Sequence, residues 1–312
     1  MNLRHIEVFH AVYSVGSISG ASRLLNVSQP SVSKIVKHAE TRLGFPLFTL
    51  VRGRLTPTDE AHILFREVDD LHSRIDTFQR AARNMRSTSE GHIRVGVLPS
   101  LALAATPMAI ARFRRQLPLV TFEVSAIHHD QFREALMSRE CDFVIGHAAP
   151  PDLEIASVPL GTGRVGVLFC AGMFPLDHDT ISLEQLRHHE LIGLAPSVAI
   201  GDLVGPIVSA ATGGAPAIQV RSVFIAAGLA RSCAGVAIVD EFTAQAYVDD
   251  TLHFRPIAPA RTFDLSVRHL ASHPLSRLSR SFIALKREML DTAATEGERH
   301  VGCTNAMVAH QH

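Results

Sequence analysis

The segment from Ser17 to Thr58 limits what this chain can become more than any other, because it spells two short helices with almost nothing between them. Ser28 is placed to accept hydrogen bonds from the first free amides of a helix, and Pro30 sits in the first turn, where its missing N–H costs nothing. From there Val32, Ile35, Val36, Ala39 and Leu43 recur at helical spacing and predict an inward face. Gln29, Ser31, Ser33, Lys34 and Lys37 line the outward face with short hydrogen bonders and cations. Ser19 is read as the cap of an earlier helix through Ala21, Leu24 and Leu25, and only Asn26-Val27-Ser28 separates the two. So tight a connection forces a steep crossing, as in a helix-turn-helix, whose second helix enters a DNA major groove.

The flanks complete that unit. Leu3, Ile6, Phe9, Val12 and Tyr13 form one helical stripe closed by Gly16, predicting a bracing helix. Gly44 ends the second helix at Leu43, and Leu47-Phe48 followed by Arg52-Gly53-Arg54-Leu55-Thr56 reads as a short hairpin with glycine at its bend, which makes the motif winged. Arg52 and Arg54 at the tip reach phosphate or a narrow minor groove; the plainer alternative is two solvated charges. The whole chain has 30 Lys and Arg against 30 Asp and Glu, so the distribution of charge decides. Through Thr58 there are seven cations and two anions, a local balance of +5 inside a neutral protein.

Thr56-Pro57-Thr58-Asp59 is a capped helix start, and the helix it opens is expected to run to about Met85. Its apolar positions Ala61, Leu64, Val68, Leu71, Ile75, Phe78, Ala82 and Met85 alternate steps of three and four, the seam of a coiled coil. Close-flanking charges keep the stripe narrow and favour a partner helix over packing against its own domain, so this element predicts a dimer. Ser87-Thr88-Ser89-Glu90-Gly91 is the expected hinge. After it, strand and helix alternate: strands at 93–98, 121–127 and 142–146 with helices at 101–116 and 131–138, then strands at 165–170, 190–194, 217–223, 236–239 and 263–269 with helices at 183–189, 202–211, 224–234 and 277–290. That repetition predicts an α/β domain on a parallel sheet. The expected division is 1–58, a DNA-binding domain; 59–86, a dimerisation helix; 87–91, a hinge; 92–292, an effector domain with one lobe at about 92–161 and 266–292 and another at about 162–265; and 293–312, a disordered tail.

Ligands of an open parallel sheet bind where strands pass into helices. Ser100, after Leu98-Pro99, and Ser197, in Ala195-Pro196-Ser197-Val198, are expected to close on one ligand from two lobes, although both could simply cap helices. Asp240, at the end of Val236-Ala237-Ile238-Val239, is a candidate for a ligand ammonium or a helix cap, and His147 and Phe224 occupy two further junctions. Gly161-Thr162-Gly163-Arg164-Val165-Gly166 matches a dinucleotide fingerprint but leads into an apolar strand instead of opening a helix, so it predicts no phosphate cradle. No P-loop, nucleophile elbow or zinc-protease motif occurs, and the pairs His128-His129 and His188-His189 cannot both face one metal, so neither enzyme chemistry, a cofactor nor a metal is expected. Cys141, Cys170, Cys233 and Cys303 lie far apart and are expected to be buried thiols in a reducing cytoplasm. Neither an apolar leader nor a run of roughly 18 apolar residues is present, so no membrane association is expected.

From Met1 to about Leu290 the chain resembles the LysR-type transcriptional regulators, and the motif that carries the likeness is Ser17-x-Ser19, Ala21, Leu24-Leu25, Ser28-Gln29-Pro30-Ser31-x-Ser33, Ile35, Glu40, Leu43-Gly44, Leu47-Phe48, Arg54 and Leu55-Thr56-Pro57. The resemblance implies a winged helix-turn-helix, a linker coiled coil, and a two-lobed effector domain similar to periplasmic (type II) solute-binding proteins. It also implies tetramers on interrupted palindromes of double-stranded DNA, with Gln29, Pro30, Ser31, Ser33 and Lys34 contacting DNA from the recognition helix and Arg54 from the wing. Asn2-Leu3-Arg4-His5-Ile6-Glu7, Val51-Arg52-Gly53-Arg54-Leu55 and Gly235-Val236-Ala237-Ile238-Val239-Asp240 look most like the branch regulating lysine and opine metabolism, which implies an amino-acid-like or related carboxylate effector. Ser22, Ala39 and Leu50 depart from the family pattern; the last removes a basic residue often found beside the wing. The expected mechanism is a ligand between lobes that changes their angle, and with it the bending of DNA and promoter occupancy by RNA polymerase. A solute-binding protein would leave residues 17–58 without a use, and an enzyme with a DNA-binding appendage would need a nucleophile or metal cluster that the sequence does not display.

Overall fold

In a computed structural model the described residues are 1–86, 90–175, 179–196 and 200–308; for helix residues 70, 72–74, 76–77, 79–86 and 293–308 only the backbone is described. The chain divides into two units at Gln79 and Arg80.

In the first unit, α1 (Leu3–Val15), α2 (Ile18–Leu24) and α3 (Gln29–Leu43) precede a hairpin of β1 (Phe48–Val51) and β2 (Arg54–Pro57), and α4 (Asp59–Arg86) follows. Val8, Ala11, Val12, Ala21, Val32 and Val36 form the centre around which the three helices cross. The cap of α2 is Ser17 and not Ser19: the Gly20 N–H donates to the Ser17 hydroxyl at 3.1 Å. Ser28 does occupy the N-cap of α3 in an extended conformation, yet its hydroxyl makes no capping bond, so Pro30 in the first turn is the working start signal. The wing turns on Arg52 (φ 50°) and Gly53 (φ 77°), two consecutive left-handed residues, the two-residue geometry whose twist matches that of the paired strands. Glu40 ties this hairpin to α3, its carboxylate accepting the N–H groups of Leu47 (2.8 Å) and Phe48 (3.2 Å).

The apolar stripe of α4 is divided. Ala61 and Val68 are buried with Phe9, Ala39 and Leu47, and the Phe65 ring stacks on Tyr13 with centroids 3.8 Å apart. This part of the stripe serves its own domain. Ile75 and Phe78, farther along, are 37% and 74% exposed and are the part available to a partner helix; the side chains of Ala82 and Met85 lie outside the description.

In the second unit, β3 (Glu90–Val97) lies between the parallel strands β4 (Leu119–Ala126) and β5 (Phe143–His147), while β12 (Thr262–Leu270) joins β5 antiparallel. Glu90 and Gly91 of the expected hinge already belong to β3, and 87–89 lie outside the described residues. β6 (Ile155–Cys170) runs through both lobes: residues 155–164 pair with β12, and residues 165–170 pair with β10 (Val236–Asp240) and β11 (Leu252–Ala258). Beyond β10 come β8 (Leu191–Leu194) and β9 (Ile218–Val220) in parallel, and β7 (Ile181–Ser182) pairs with β11. The sheet is therefore mixed, with parallel wings and an antiparallel centre. The register of β6 against β12 slips between Leu265 and Ser266, leaving Leu160 as an extra residue on β6. The Gly161–Gly166 fingerprint lies within β6. A Cβ on Gly163 would meet the rings of Phe242 and Phe263 at 2.7 and 2.4 Å, so that glycine serves ring packing.

The expected helix at 101–116 is broken at Ala104 (φ −135°, ψ −55°) into α5 (Pro99–Leu103) and α6 (Ala105–Gln116). α7 (Phe132–Met137) follows a single tighter turn at His129–Gln131, and α8 (Leu183–Leu186), α9 (Gly201–Thr212) and α10 (Val223–Arg231) match predicted segments. β11 and α11 (Glu241–Gln245) are additions to the sequence reading, and the backbone of α12 (Arg277–Val308) continues beyond the expected end at Leu290 into the segment expected to be frayed.

The expectation of four buried thiols fails at two positions. Cys170, closing β6, and Cys233, after α10, form a disulfide across 63 residues, with Cα atoms 5.5 Å apart. The chain folds back between β6 and β10 and so brings together cysteines that sequence spacing separates. Cys141 is a buried free thiol, which burial pushes up to about 12; the Cys303 side chain lies outside the description. Among the described residues no helix is long and apolar enough to cross a membrane, and no group of three or more His, Cys, Asp or Glu is placed to hold a metal ion.

Candidate DNA-reading face and effector cleft

α3 presents the polar face that its spacing predicts. Gln29, Pro30, Ser33, Lys34 and Lys37 are exposed and Ser31 is half-buried, while Val32, Val36 and Ala39 point inward. Arg52 and Arg54 are exposed at the tip and flank of the wing. Among the described residues none of these polar or charged side chains has a hydrogen-bond or ion-pair partner inside the protein. A row of unpaired donors beside two free guanidinium groups is chemically suited to phosphate and base-edge contact.

The back of α3 is held by groups the sequence reading did not single out. Buried His5 accepts the Asn2 N–H at Nδ1 (3.1 Å), so its proton lies on Nε2 and is donated to His38 Nδ1 (3.1 Å). Burial, followed by the proximity of His38, lowers the His5 pKa and keeps this ring neutral. The Asn2 carbonyl oxygen of the side chain accepts the His5 N–H, closing a reciprocal cap on α1.

The second site lies in the effector domain, where the strand ends of the two lobes meet. Ser100, Asp240 and Phe224, three of the residues expected at the effector, line it. Ser100 is buried in α5 and hydrogen-bonds to Asp240. Asp240 also caps α11, accepting the Thr243 N–H at 2.8 Å and the Thr243 hydroxyl at 3.2 Å. Burial raises its carboxyl to about 6, opposed by these hydrogen bonds. Of the two roles weighed for Asp240, the structure shows the helix cap, and it places that cap on the wall of the cleft.

His147 does not join them. It lies at the end of β5 with its ring 4.5 Å from that of Phe263, away from the cleft walls. Ser197 falls outside the described residues. Arg221, Ser222 and His128 line the cleft and were missed. Ser222 caps α10, accepting the Phe224 N–H at 3.2 Å, so the positive end of that helix opens at the cleft beside the exposed Arg221. The strand-to-helix rule does point here, but the sequence reading carried β9 three residues too far, to Val223, and so hid Arg221 within a strand.

Comparison with known proteins finds the same two domains in the same order along the chain. The lysR family of bacterial regulatory helix-turn-helix proteins matches residues 3–62, and the LysR substrate binding domain matches residues 86–291. The chain is 35% identical over 289 residues to the HTH-type transcriptional regulator DgcR of Pseudoalteromonas sp, covering 91% of this chain and 98% of that protein. It is 26% identical over 290 residues to the transcriptional activator protein LysR of Escherichia coli (strain K12), covering 90% and 91% of the two chains. To the octopine catabolism/uptake operon regulatory protein OccR of Rhizobium meliloti it is 28% identical over 277 residues, covering 83% and 86%. Its fold is similar to that of CbnR, a LysR family transcriptional regulator, with a TM-score of 0.64 at 19% identity over 92% of this chain and 99% of that one. These relatives are regulators and not enzymes. With a helix-turn-helix whose polar face has no internal partners among the described residues, a cleft domain following it in the chain, and both parts matched, the chain belongs to the LysR family of DNA-binding transcriptional regulators with an effector-binding domain.

Proposed function

We propose that the outward face of α3 reads base edges through Gln29, Ser31 and Ser33, with Pro30 setting the entry of the helix and Lys34, Lys37, Arg52 and Arg54 on phosphate or the minor groove. The observation that carries this is the row of side chains without internal partners, in a segment of net charge +5. Glutamine suits adenine, whose N6 and N7 offer a donor and an acceptor side by side. The structure of full-length CbnR complexed with its target DNA, similar in fold at a TM-score of 0.67, supports the same use of the domain. Two copies joined through Ile75 and Phe78 of α4 read the halves of an interrupted palindrome, and two dimers form a tetramer that works in the cytoplasm and acts on RNA polymerase.

The effector is a small carboxylate of amino-acid type. Arg221 and the N-terminal end of α10 supply positive potential on one wall of the cleft, and Asp240 with Ser100 supplies acceptors on another. The name of OccR, which concerns octopine, supports this class. Footprinting across a promoter with and without candidate amino acids, at a stated salt concentration, tests the reading. Gln29→Ala is expected to weaken operator binding about 10-fold while leaving competitor DNA almost unaffected. Equal weakening on both would reassign Gln29 to phosphate contact, and no operator preference in the parent protein would end the proposal.

A further inference from the structure

We propose that the cavity on the far side of α11 from the effector cleft is a second ligand site, taking a small monocarboxylate with an apolar tail whose carboxylate pairs with Lys286. The cavity has a volume of about 680 Å³ and lies between the lobes, walled by α6 and α12 from one and by β6, α11 and β11 from the other. Its apolar walls include Met108, Phe242, Val248, Phe254 and Met289.

Lys286 is the unusual member. It is 1% exposed, and its only hydrogen-bond partner among the described residues is the Thr106 hydroxyl, at 3.1 Å. An ammonium offers three donors, and one neutral acceptor leaves most of its desolvation uncompensated. The other charges around the cavity already have partners. Arg112 of α6 pairs with Glu288 of α12 at 2.8 Å, and Arg164 of β6 is held in a two-pronged contact by Glu241 of α11 at 3.0 and 2.8 Å. Arg287 donates to the Pro159 carbonyl, and on β3, packed behind α12, His92 and Arg94 engage Thr121 and Arg139. Burial is the sole influence on Lys286 and pushes it down to about 7. A carboxylate arriving in the cavity supplies the missing counter-charge, and the apolar walls suit a hydrocarbon tail.

The position of the cavity gives such a ligand a route to the effector site. The turn that carries Asp240 into the cleft carries Glu241 and Phe242 into the cavity. An occupant of either side contacts the first turn of α11, and both sides draw walls from both lobes.

The test is calorimetry on the full-length protein with hexanoate as probe, in two buffers of different ionisation heat. At about pH 6.5 we expect binding with Kd on the order of 0.1–1 mM. By about pH 8.5 affinity should fall at least 10-fold, with uptake approaching one proton, because the empty site has by then released the Lys286 proton and binding must restore it. Hexan-1-ol should not bind. Lys286→Met should abolish hexanoate binding, and Met108→Trp should do the same by filling the cavity from a half-exposed position that leaves the fold intact. Arg221→Met, in the cleft, should leave hexanoate affinity unchanged. Absence of binding up to about 10 mM, binding without proton uptake, or binding lost in Arg221→Met but kept in Lys286→Met would overturn the proposal.

Discussion

Asp240 and Lys286 sit on two sides of one short helix, each about 1% exposed, and their surroundings differ in how much polarity they supply. Asp240 receives an amide, a hydroxyl and Ser100, and still titrates near 6 because burial outweighs them. Lys286 receives one hydroxyl and falls to about 7. A carboxylate at the start of a helix is held by that helix whether or not a ligand is present. An ammonium inside α12, in its third turn, has no such resource, because every carbonyl of its own turn is already engaged. The contrast separates a buried charge built into the fold from one that the fold leaves wanting.

The difference can be attacked experimentally, and the largest effect belongs to the cleft. Arg221→Met is expected to weaken the carboxylate effector about 100-fold, close to 3 kcal/mol, while operator affinity stays within a few fold. Titration of the effector response by fluorescence anisotropy on operator DNA checks this, and an unaltered response would remove Arg221 from the site. Next comes Lys286→Met. Because the folded lysine titrates below its unfolded value, wild-type stability carries the full penalty below about pH 7 and recovers as pH rises toward 10.5. The substitution should therefore stabilise the effector domain by about 2 kcal/mol near pH 6, with the advantage shrinking toward pH 10 in urea titrations.

Asp240→Asn should give the opposite slope with a smaller amplitude. The folded carboxyl titrates above its unfolded value, so the wild type is favoured at acid pH and loses stability as pH rises from about 4 to about 6. Asparagine keeps a capping oxygen and removes the charge, so the variant should lack that loss, a difference of about 1–2 kcal/mol at pH 7. Equal pH profiles for the two proteins would mean that Asp240 is better solvated than its burial implies. The smallest change is Thr106→Val, which takes from Lys286 its only hydrogen bond among the described residues at a cost of about 0.5–1.5 kcal/mol at neutral pH. In the Lys286→Met background this cost should vanish.

The DNA-reading unit was more legible in the sequence than the effector domain, for reasons that particular residues show. Pro30, the inward run from Val32 to Leu43 and Gly44 bracket α3 by local chemistry alone, and Arg52-Gly53 marks the wing turn in the same way. The caps were less legible: Ser28 stands at the start of α3 without a capping bond, and Ser17, not Ser19, caps α2, since either hydroxyl can cap and only tertiary packing sets the start of that helix. In the effector domain the decisive relations are non-local. Cys170 meets Cys233 only because β6 and β10 are neighbours. Lys286 reads as one more surface lysine of an amphipathic helix until α6 covers it. β11 carries Pro256 and only a weak alternation, so nothing local announces it, yet it forms part of the wall around the second cavity. The seam of α4 shows the limit of periodicity itself: the same three-four spacing describes Ala61 and Val68, consumed by their own domain, and Ile75 and Phe78, which stay exposed.

β6 belongs to the pairing networks of both lobes, and that shapes how they can respond to a bound molecule. A joint made of free loops opens widely at almost no cost. A continuous ladder resists, because large excursions would break main-chain bonds, and it yields mainly by torsion where the pairing is already interrupted. Here that weak point is the extra residue Leu160. A domain joined in this way is expected to answer a bound molecule as a stiff spring does, with a short stroke.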